Sequence, residues 1–227
     1  MKLLLHQTDL EKYKDIGYLV IPKLFSKEEC NDMVGMFDGL AAGGYPPILN
    51  LDRWDMRVEK IAHSMRLTDI VVALQTNLVS IVSTQILYKK AHSLFAAQAW
   101  NVHQDSSYSG TVPGVYMTAN IILEDTDKGN GCIYVYPESH KGGVLPFDPF
   151  PSGYKDAGNE IREVATLGDS IDMVLSKGDV FFMSGELAHG SYGNESNRDR
   201  PMFSVCYITR HAEFFRGKSA NRKEIYV

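Results

Sequence analysis

The 227-residue chain is short of the features that usually assign a protein quickly. Its three cysteines, Cys30, Cys132 and Cys206, lie far apart with no Cys-x-x-Cys spacing, which excludes a disulfide framework or a zinc–thiolate site as a reading and leaves buried free thiols as the expectation. It has no basic stripe: 23 Lys and Arg stand against 28 Asp and Glu, so nucleic acid is not an expected partner. No apolar run approaches a membrane span, and the run in Met1 to Gln7 is too short for a signal-peptide core. The expectation is a cytoplasmic protein with no membrane partner. Internal repeats, low-complexity segments and shifts of composition are also missing, and the length suits one domain with a well-buried core. Nothing in the sequence speaks to oligomeric state.

What is present has two textures. Thr8 to Ile16 reads as a short helix stopped by Gly17, followed by a strand over Tyr18 to Ile21 that Pro22 closes. Ser26-Lys27-Glu28-Glu29 fits a capping box, and Cys30, Met33, Val34, Phe37 and Leu40 follow at helical spacing until Gly43-Gly44, so an amphipathic helix should pack on a sheet. After a polar loop through Tyr45-Pro46-Pro47, Asp69 to Leu74 reads as a helix with Thr68 as its cap. From Leu78 the chain is rich in β-branched and aromatic residues, with strands expected over 79–88, 95–104, 115–123, 132–136, 170–175, 180–183 and 202–209. Turn signals such as Asp127-Lys128-Gly129-Asn130-Gly131 and Ser176-Lys177-Gly178-Asp179 separate them. Many short strands without intervening helices imply a sandwich or jelly roll. The segment Lys141 to Gly168, with its Leu145-Pro146-Phe147-Asp148-Pro149-Phe150-Pro151 stretch, is too long for a simple hairpin, and a lid over a site is the expectation.

The chemistry concentrates in Trp100-Asn101-Val102-His103-Gln104-Asp105. On an extended strand side chains alternate, so His103 and Asp105 would face the same way and supply half of a metal site. Alone, the triplet reads equally as a surface pair. Its company raises it: His189 follows the strong strand Val180 to Met183, and two imidazoles with one carboxylate make the facial triad of non-haem Fe(II) oxygenases. Arg200, eleven residues on, would lie with His189 on adjacent strands of one hairpin, and an arginine grips a carboxylate through paired hydrogen bonds. Ser191 adds a hydroxyl. Three protein ligands leave room at iron for a bidentate oxo-acid and O2, with Arg200 on the far carboxylate of that co-substrate, which would be 2-oxoglutarate. Other residues have plainer readings. His140 shapes its turn, while His6, His63, His92 and His211 have no partner at ligand spacing. Trp100 packs beside the metal strand, Tyr108 lines a cavity or the core, and Met33 and Phe37 are core.

Together, His103-Gln104-Asp105, His189-Gly190-Ser191 and Arg200 resemble the motifs of the phytanoyl-CoA dioxygenase family of Fe(II)/2-oxoglutarate oxygenases. Ile121 to Asp125, Gly131 to Val135, Pro137-Glu138-Ser139-His140-Lys141 and Lys177 to Phe182 extend the likeness, which runs from Gly17 to Arg210. The resemblance implies a mainly β chain with flanking helices, a double-stranded β-helix of the jelly-roll, cupin-like kind. Its N-terminal helices would occupy about residues 1–77 and its jelly-roll core about 78–210, with the lid at 141–168. It implies Fe(II) on His103, Asp105 and His189, with 2-oxoglutarate anchored by Arg200 and Ser191 and also touched by Gln85 or Lys89 and by Asn120. An aromatic residue often stands in similar proteins where Asn120 stands here.

The implied reaction is hydroxylation of a small-molecule C–H bond with O2, releasing succinate and CO2. Desaturation or cyclisation by the same chemistry is the alternative. Related halogenases lack the carboxylate, so Asp105 points away from halogenation. Two other classes compete: a jelly-roll protein that only binds a ligand, and a cupin-like metalloenzyme without an oxo-acid co-substrate. The absence of an adenine- or phosphate-binding feature turns the expectation from CoA esters toward a free small molecule.

Overall fold

The computed structural model describes residues 5–40, 48–149, 156–157, 159–216 and 221–227. Gly43-Gly44, Tyr45-Pro46-Pro47 and Phe150-Pro151 fall outside them. In chain order the elements are α1 (Gln7–Ile16), β1 (Tyr18–Ile21), α2 (Lys27–Leu40), β2 (Ile48–Leu49), α3 (Met56–Ala62), α4 (Met65–Gln75), β3 (Val79–Lys89) and β4 (Ala99–His103). The single turn α5 (Ser106–Ser109) follows, then β5 (Tyr116–Ile122), β6 (Ile133–Val135), β7 (Phe147–Asp148), β8 (Asp156–Ala157) and β9 (Glu160–Ile161). The chain closes with β10 (Ile171–Asp172), β11 (Val180–Ser184), β12 (His189–Ser191), β13 (Arg200–Thr209) and β14 (Ile225–Tyr226).

The strands form two main sheets, a seven-stranded one in the order β1-β11-β5-β13-β3-β14 with β2 also on β3, and a five-stranded one in the order β10-β6-β12-β4-β8. Consecutive strands cross between sheets: β4 lies in the smaller, β5 in the larger, β6 in the smaller again. This is the double-stranded β-helix, as expected. The large sheet is covered on both faces, which is why its strands are buried almost without interruption. One face carries Ile86, Ala119, Ile121, Phe182, Phe203 and Val205, packed against Met33 and Phe37 of α2 and Leu67 and Ile70 of α4. The Phe37 and Phe203 rings meet at 5.3 Å. The other face looks toward the small sheet, and the site lies between.

Local chemistry sets the helix ends. Gly17 takes a left-handed φ of 86° and returns its N–H to the Tyr13 carbonyl at 2.9 Å, ending α1. The capping box before α2 forms, with Ser26 N donating to Glu29 Oε2 at 2.7 Å and Glu29 N to Ser26 Oγ at 3.2 Å. The helix expected from Asp69 with Thr68 as cap starts a turn earlier: Ser64 Oγ caps Arg66 N, and Leu67 already belongs to the buried stripe with Ile70, Val71 and Leu74. A further short helix, α3, is capped by Asp55, whose carboxylate accepts from Arg57 N at 2.8 Å. The strands expected over 95–104 and 170–175 shorten to β4 and β10, because the residues before and after them make turns and irregular backbone contacts. All three cysteines are buried free thiols. Among the described residues no helix is long and apolar enough to cross a membrane.

Candidate active site

β12 pairs with β4 in a register that sets His189 directly opposite His103, so two imidazoles become cross-strand neighbours with ring centroids 4.3 Å apart. Each makes the same local bond: His103 Nδ1 meets the Asn101 carbonyl at 2.6 Å and His189 Nδ1 the Leu187 carbonyl at 2.8 Å. A carbonyl only accepts, so Nδ1 carries the proton and Nε2 presents a lone pair in both rings.

Asp105 reaches them by a route the alternation argument did not foresee. The chain leaves the strand after His103, and Asp105 sits in αR conformation (φ −62°, ψ −33°) at the start of α5. That turn brings its Oδ1 to 3.7 Å from His103 Nε2 and 3.8 Å from His189 Nε2. The three ligand atoms lie within 4.8 Å of one another. Burial, and to a lesser degree the neighbouring His189 ring, pushes the His103 imidazole down to about 3, which keeps it neutral; burial also raises the Asp105 carboxyl. A carboxylate held in a largely buried place beside two fixed lone pairs is a donor set that fits a divalent cation, with the backbone carbonyls serving as the outer support such ligands require.

Arg200 was expected on a hairpin with His189. It lies instead on β13 in the seven-stranded sheet, while His189 is on β12 in the five-stranded one, because the chain crosses between layers over Tyr192 to Asp199. The two residues thus address the cavity from opposite walls. Arg200 is buried, its Nη1 reaches only the Leu87 carbonyl at 3.4 Å, and its buried Nε has no partner among the described residues. Burial brings its guanidinium down to about 10. A buried N–H without an acceptor carries a free-energy cost, and because Arg200 lines the cavity a carboxylate bound there could remove it. Lys89, its register partner on β3, donates from Nζ to Ser191 Oγ at 2.9 Å and also to the Tyr192 carbonyl. Burial, and then the Arg200 charge, hold the Lys89 ammonium well below its ordinary range.

The wall formed by the large sheet is banded. Lys89 and Arg200 make a cationic row, Leu87 and Met202 an apolar row, and Gln85, Ser204 and Asn120 a polar row across three strands. Asn120 receives a hydrogen bond from Ser204 Oγ and donates to Thr118 Oγ1 and the Phe181 carbonyl, both at 3.2 Å, while Gln85 Nε2 points to Cys206 Sγ at 3.6 Å. All of Gln85, Lys89, Asn120, Ser191 and Arg200 line one cavity of about 350 Å³ together with His103, Asp105 and His189. The sequence-predicted residues are therefore brought together without exception. Trp100 and Tyr108 line it too, both rings against His103, at 5.8 and 5.5 Å.

Other residues at the site carried no readable signal. Phe95 and Gln98 come from the turns before β4, and Leu49 from the short β2. Arg222 comes from beyond the last long strand. Gln104, between the two ligands, accepts at Oε1 from Leu145 N at 2.7 Å and donates to the Gly143 carbonyl at 2.8 Å, tying the start of the 141–168 segment to the site. Further along, Asn159 N donates to the Tyr108 hydroxyl. His140 bonds the Lys14 carbonyl at 3.0 Å, tying its turn to the end of α1 rather than closing the turn itself.

Fold and site together define a double-stranded β-helix protein with a two-histidine, one-carboxylate ligand set facing an arginine across a single cavity. The profile of the phytanoyl-CoA dioxygenase (PhyH) family matches residues 13–202, and the chain belongs to that family. It is 27% identical over 127 residues to the peroxisomal phytanoyl-CoA dioxygenase of Rattus norvegicus, a match covering 55% of this chain and 38% of that enzyme. Methylphosphonate hydroxylase of Gimesia maris is 22% identical over 225 residues, covering 91% of this chain and 82% of that one. The crystal structure of EvdO2 from Micromonospora carbonacea var. aurantiaca complexed with 2-oxoglutarate superposes with a TM-score of 0.77 at 16% identity, covering 96% of each chain.

Proposed function

We propose that this chain is an Fe(II)- and 2-oxoglutarate-dependent oxygenase that hydroxylates a C–H bond of a small molecule in the cytoplasm, with succinate and CO2 as co-products. The observation that carries the reading is that one cavity is lined both by the His103–Asp105–His189 cluster and by Arg200, whose buried Nε has no partner among the described residues. Iron bound there supplies O2 activation coupled to oxidative decarboxylation of the co-substrate. The protein's part is to bind and orient. His103, Asp105 and His189 hold the metal from one side. Arg200, with Ser191 and Lys89, receives the distant carboxylate of 2-oxoglutarate, and the apolar row of Leu87 and Met202 suits the methylenes between its two ends. Asn120 and Gln85 present polar groups to the part of the co-substrate nearer the metal. The segment 141–168 enters the proposal as a lid, supported by its ties to Gln104 and Tyr108 beside the cluster.

A cavity of about 350 Å³ is at the lower end of the roughly 300–1,000 Å³ of small-molecule sites. Shared with the co-substrate, it suits a compact substrate. The fold supports several outcomes of this chemistry, and the retained Asp105 is what favours hydroxylation. The deciding experiment measures binding of 2-oxoglutarate to the Mn(II)-loaded protein by calorimetry, and O2 consumption by the Fe(II)-loaded protein with and without 2-oxoglutarate. Metal-dependent binding and 2-oxoglutarate-dependent O2 uptake are expected; failure of both in a folded, metal-loaded sample overturns the reading.

A further inference from the structure

Of the charged side chains lining the cavity, Lys89, Asp105 and Arg200 have tasks in the proposed oxygenase, and Arg222 has none. The chain goes to some length to place it. After β13 the C-terminal segment returns across the end of the barrel: Phe215 N donates to the Ser109 carbonyl at 2.6 Å, and its ring fills the space at Gly110 where a Cβ would stand 2.0 Å away. β14 then adds to the edge of β3. Between them, Arg53 donates from Nη1 to the Asn221 carbonyl at 2.8 Å and from Nη2 to the Lys223 carbonyl at 3.0 Å. The same Nη2 also reaches the Val82 carbonyl at 2.9 Å. One guanidinium thus clamps the carbonyls on both sides of Arg222, while Arg222 N donates to the Arg216 carbonyl at 2.8 Å and Asn221 takes a left-handed φ of 43°.

The side chain so held donates from Nη1 to the Tyr108 carbonyl at 3.2 Å and the Phe215 carbonyl at 3.3 Å, and lines the cavity on the side of Asp105. None of the ion pairs among the described residues includes it. The remaining donors of its fork have no partner there. Its charge is felt by Asp105 only at longer range, and a partly desolvated guanidinium with no carboxylate in ion-pair contact favours a bound anion. Arginine's planar fork is matched to an oxyanion.

We propose that Arg222 binds an oxyanion of the primary substrate, a carboxylate, phosphonate or phosphate, so that the substrate is a compact organic anion held by its charged end at Arg222 with its C–H bond toward the metal cluster. The proposal rests on the oxygenase reading and specifies its substrate class.

The test uses the full chain loaded with Mn(II) and 2-oxoglutarate. Methylphosphonate, propionate and the neutral propionamide are titrated by calorimetry into wild type, Arg222→Gln and Arg222→Lys. At least one oxyanion is expected to bind wild type at millimolar concentration or below, with the amide markedly weaker. Arg222→Gln should lose roughly tenfold or more of that affinity and Arg222→Lys should keep part of it, while all three bind 2-oxoglutarate equally. The stronger of the two anions names the headgroup. Equal oxyanion binding by Arg222→Gln, no oxyanion binding by wild type, or a parallel loss of 2-oxoglutarate in the variants overturns the assignment. Failure of the oxygenase reading shows separately, as wild type that does not take up 2-oxoglutarate; the oxyanion titrations on the metal-loaded protein still decide the role of Arg222.

Discussion

Lys89 Nζ lies 2.9 Å from Ser191 Oγ, a hydrogen bond that crosses from the seven-stranded sheet to the five-stranded one at the end of the cavity where Arg200 sits. It fixes the separation of the two walls at the point where the co-substrate's far carboxylate would enter. It also leaves Arg200, the register partner of Lys89, as the cation with an unsatisfied donor.

That division of labour predicts unequal effects. Arg200→Ala should weaken 2-oxoglutarate binding by roughly tenfold to a hundredfold or more, since hydrogen bonds to charged groups are worth about 1.5–3 kcal/mol each. Arg200→Lys should restore little, because a point charge does not reproduce the fork. Lys89→Met should cost less affinity but more stability, as it unties Ser191 and the Tyr192 carbonyl. Calorimetric titration of 2-oxoglutarate and urea unfolding measure both. Equal 2-oxoglutarate affinities in wild type and Arg200→Ala would remove the anchor.

The metal-free protein should lose stability on acidification through His103. Burial, helped by the neighbouring His189 ring, holds its folded value down to about 3, whereas an unfolded histidine titrates near 6.5, so between those values the unfolded chain binds a proton that the folded chain refuses. Stability from this group is complete above about 6.5 and falls as pH drops. At pH 5 the loss is about 2 kcal/mol relative to pH 7. Asp105, raised by burial, acts in the opposite direction at acid pH, so the comparison must isolate the histidine. Urea unfolding of chelator-treated wild type and His103→Gln at both pH values does so. Curves that shift in parallel would contradict the assignment.

The pH argument concerns a residue that was readable from the start, and the contrast with less readable ones is physical. His103, Asp105, His189 and Arg200 declared themselves because their residue types and spacing are chemically unusual in strands. How they meet was not legible. The alternation rule put Asp105 on the strand face, but a turn delivers it, and a hairpin was expected to carry Arg200, but a crossover between layers does. Both errors treat neighbours in sequence as neighbours in one sheet, which a double-stranded β-helix systematically breaks. The α4 start was missed because Thr68 and Ser64 are both plausible caps, and only packing of Leu67 decides between them. Arg222 was invisible because its position depends on Arg53, 169 residues earlier, clamping the backbone around it.

Gly190, between a candidate metal ligand and Ser191, is predicted to be intolerant of even one methyl. An added Cβ would meet the Tyr134 hydroxyl at 2.4 Å, which can swing away, and the Trp100 carbonyl at 2.7 Å, which belongs to the paired strand and cannot move without displacing His103. Gly190→Ala should cost about 1–3 kcal/mol, or roughly 2–4 °C of melting temperature per kcal/mol, and weaken metal binding as well. Gly35, exposed in α2 with nothing within 4 Å, is the control: Gly35→Ala should stabilise by about 0.5–1 kcal/mol. Thermal unfolding and Mn(II) titration of the two variants test the contrast. A Gly190→Ala protein with wild-type metal affinity would show that β12 and β4 can shift independently of the cluster.

Glu186 is a buried carboxylate behind the cluster, and it is expected to act on Asp105 through the turn that carries it. Its Oε1 accepts from Ser106 Oγ at 2.6 Å and its Oε2 from Ser184 Oγ at 2.8 Å and Gly114 N at 3.1 Å. Ser106 follows Asp105 directly and its N–H is held by the Gly185 carbonyl at 2.9 Å, so the loop before His189 grips the first turn of α5 at two points. Removing the acceptor leaves three donors unsatisfied, at about 1–3 kcal/mol for each that cannot relax. Glu186→Gln keeps the volume and one acceptor but loses the other. If Glu186 positions Asp105, Glu186→Gln should reduce metal affinity by roughly tenfold, the lower range for outer-support residues, with 2-oxoglutarate affinity at fixed metal occupancy unchanged. Ser106→Ala should do the same, and the double variant should cost less than the sum, because both changes break one connection. A stability loss with unchanged metal affinity would show that this network holds only the fold. The split between the two readouts decides whether the carboxylate behind the cluster belongs to the site.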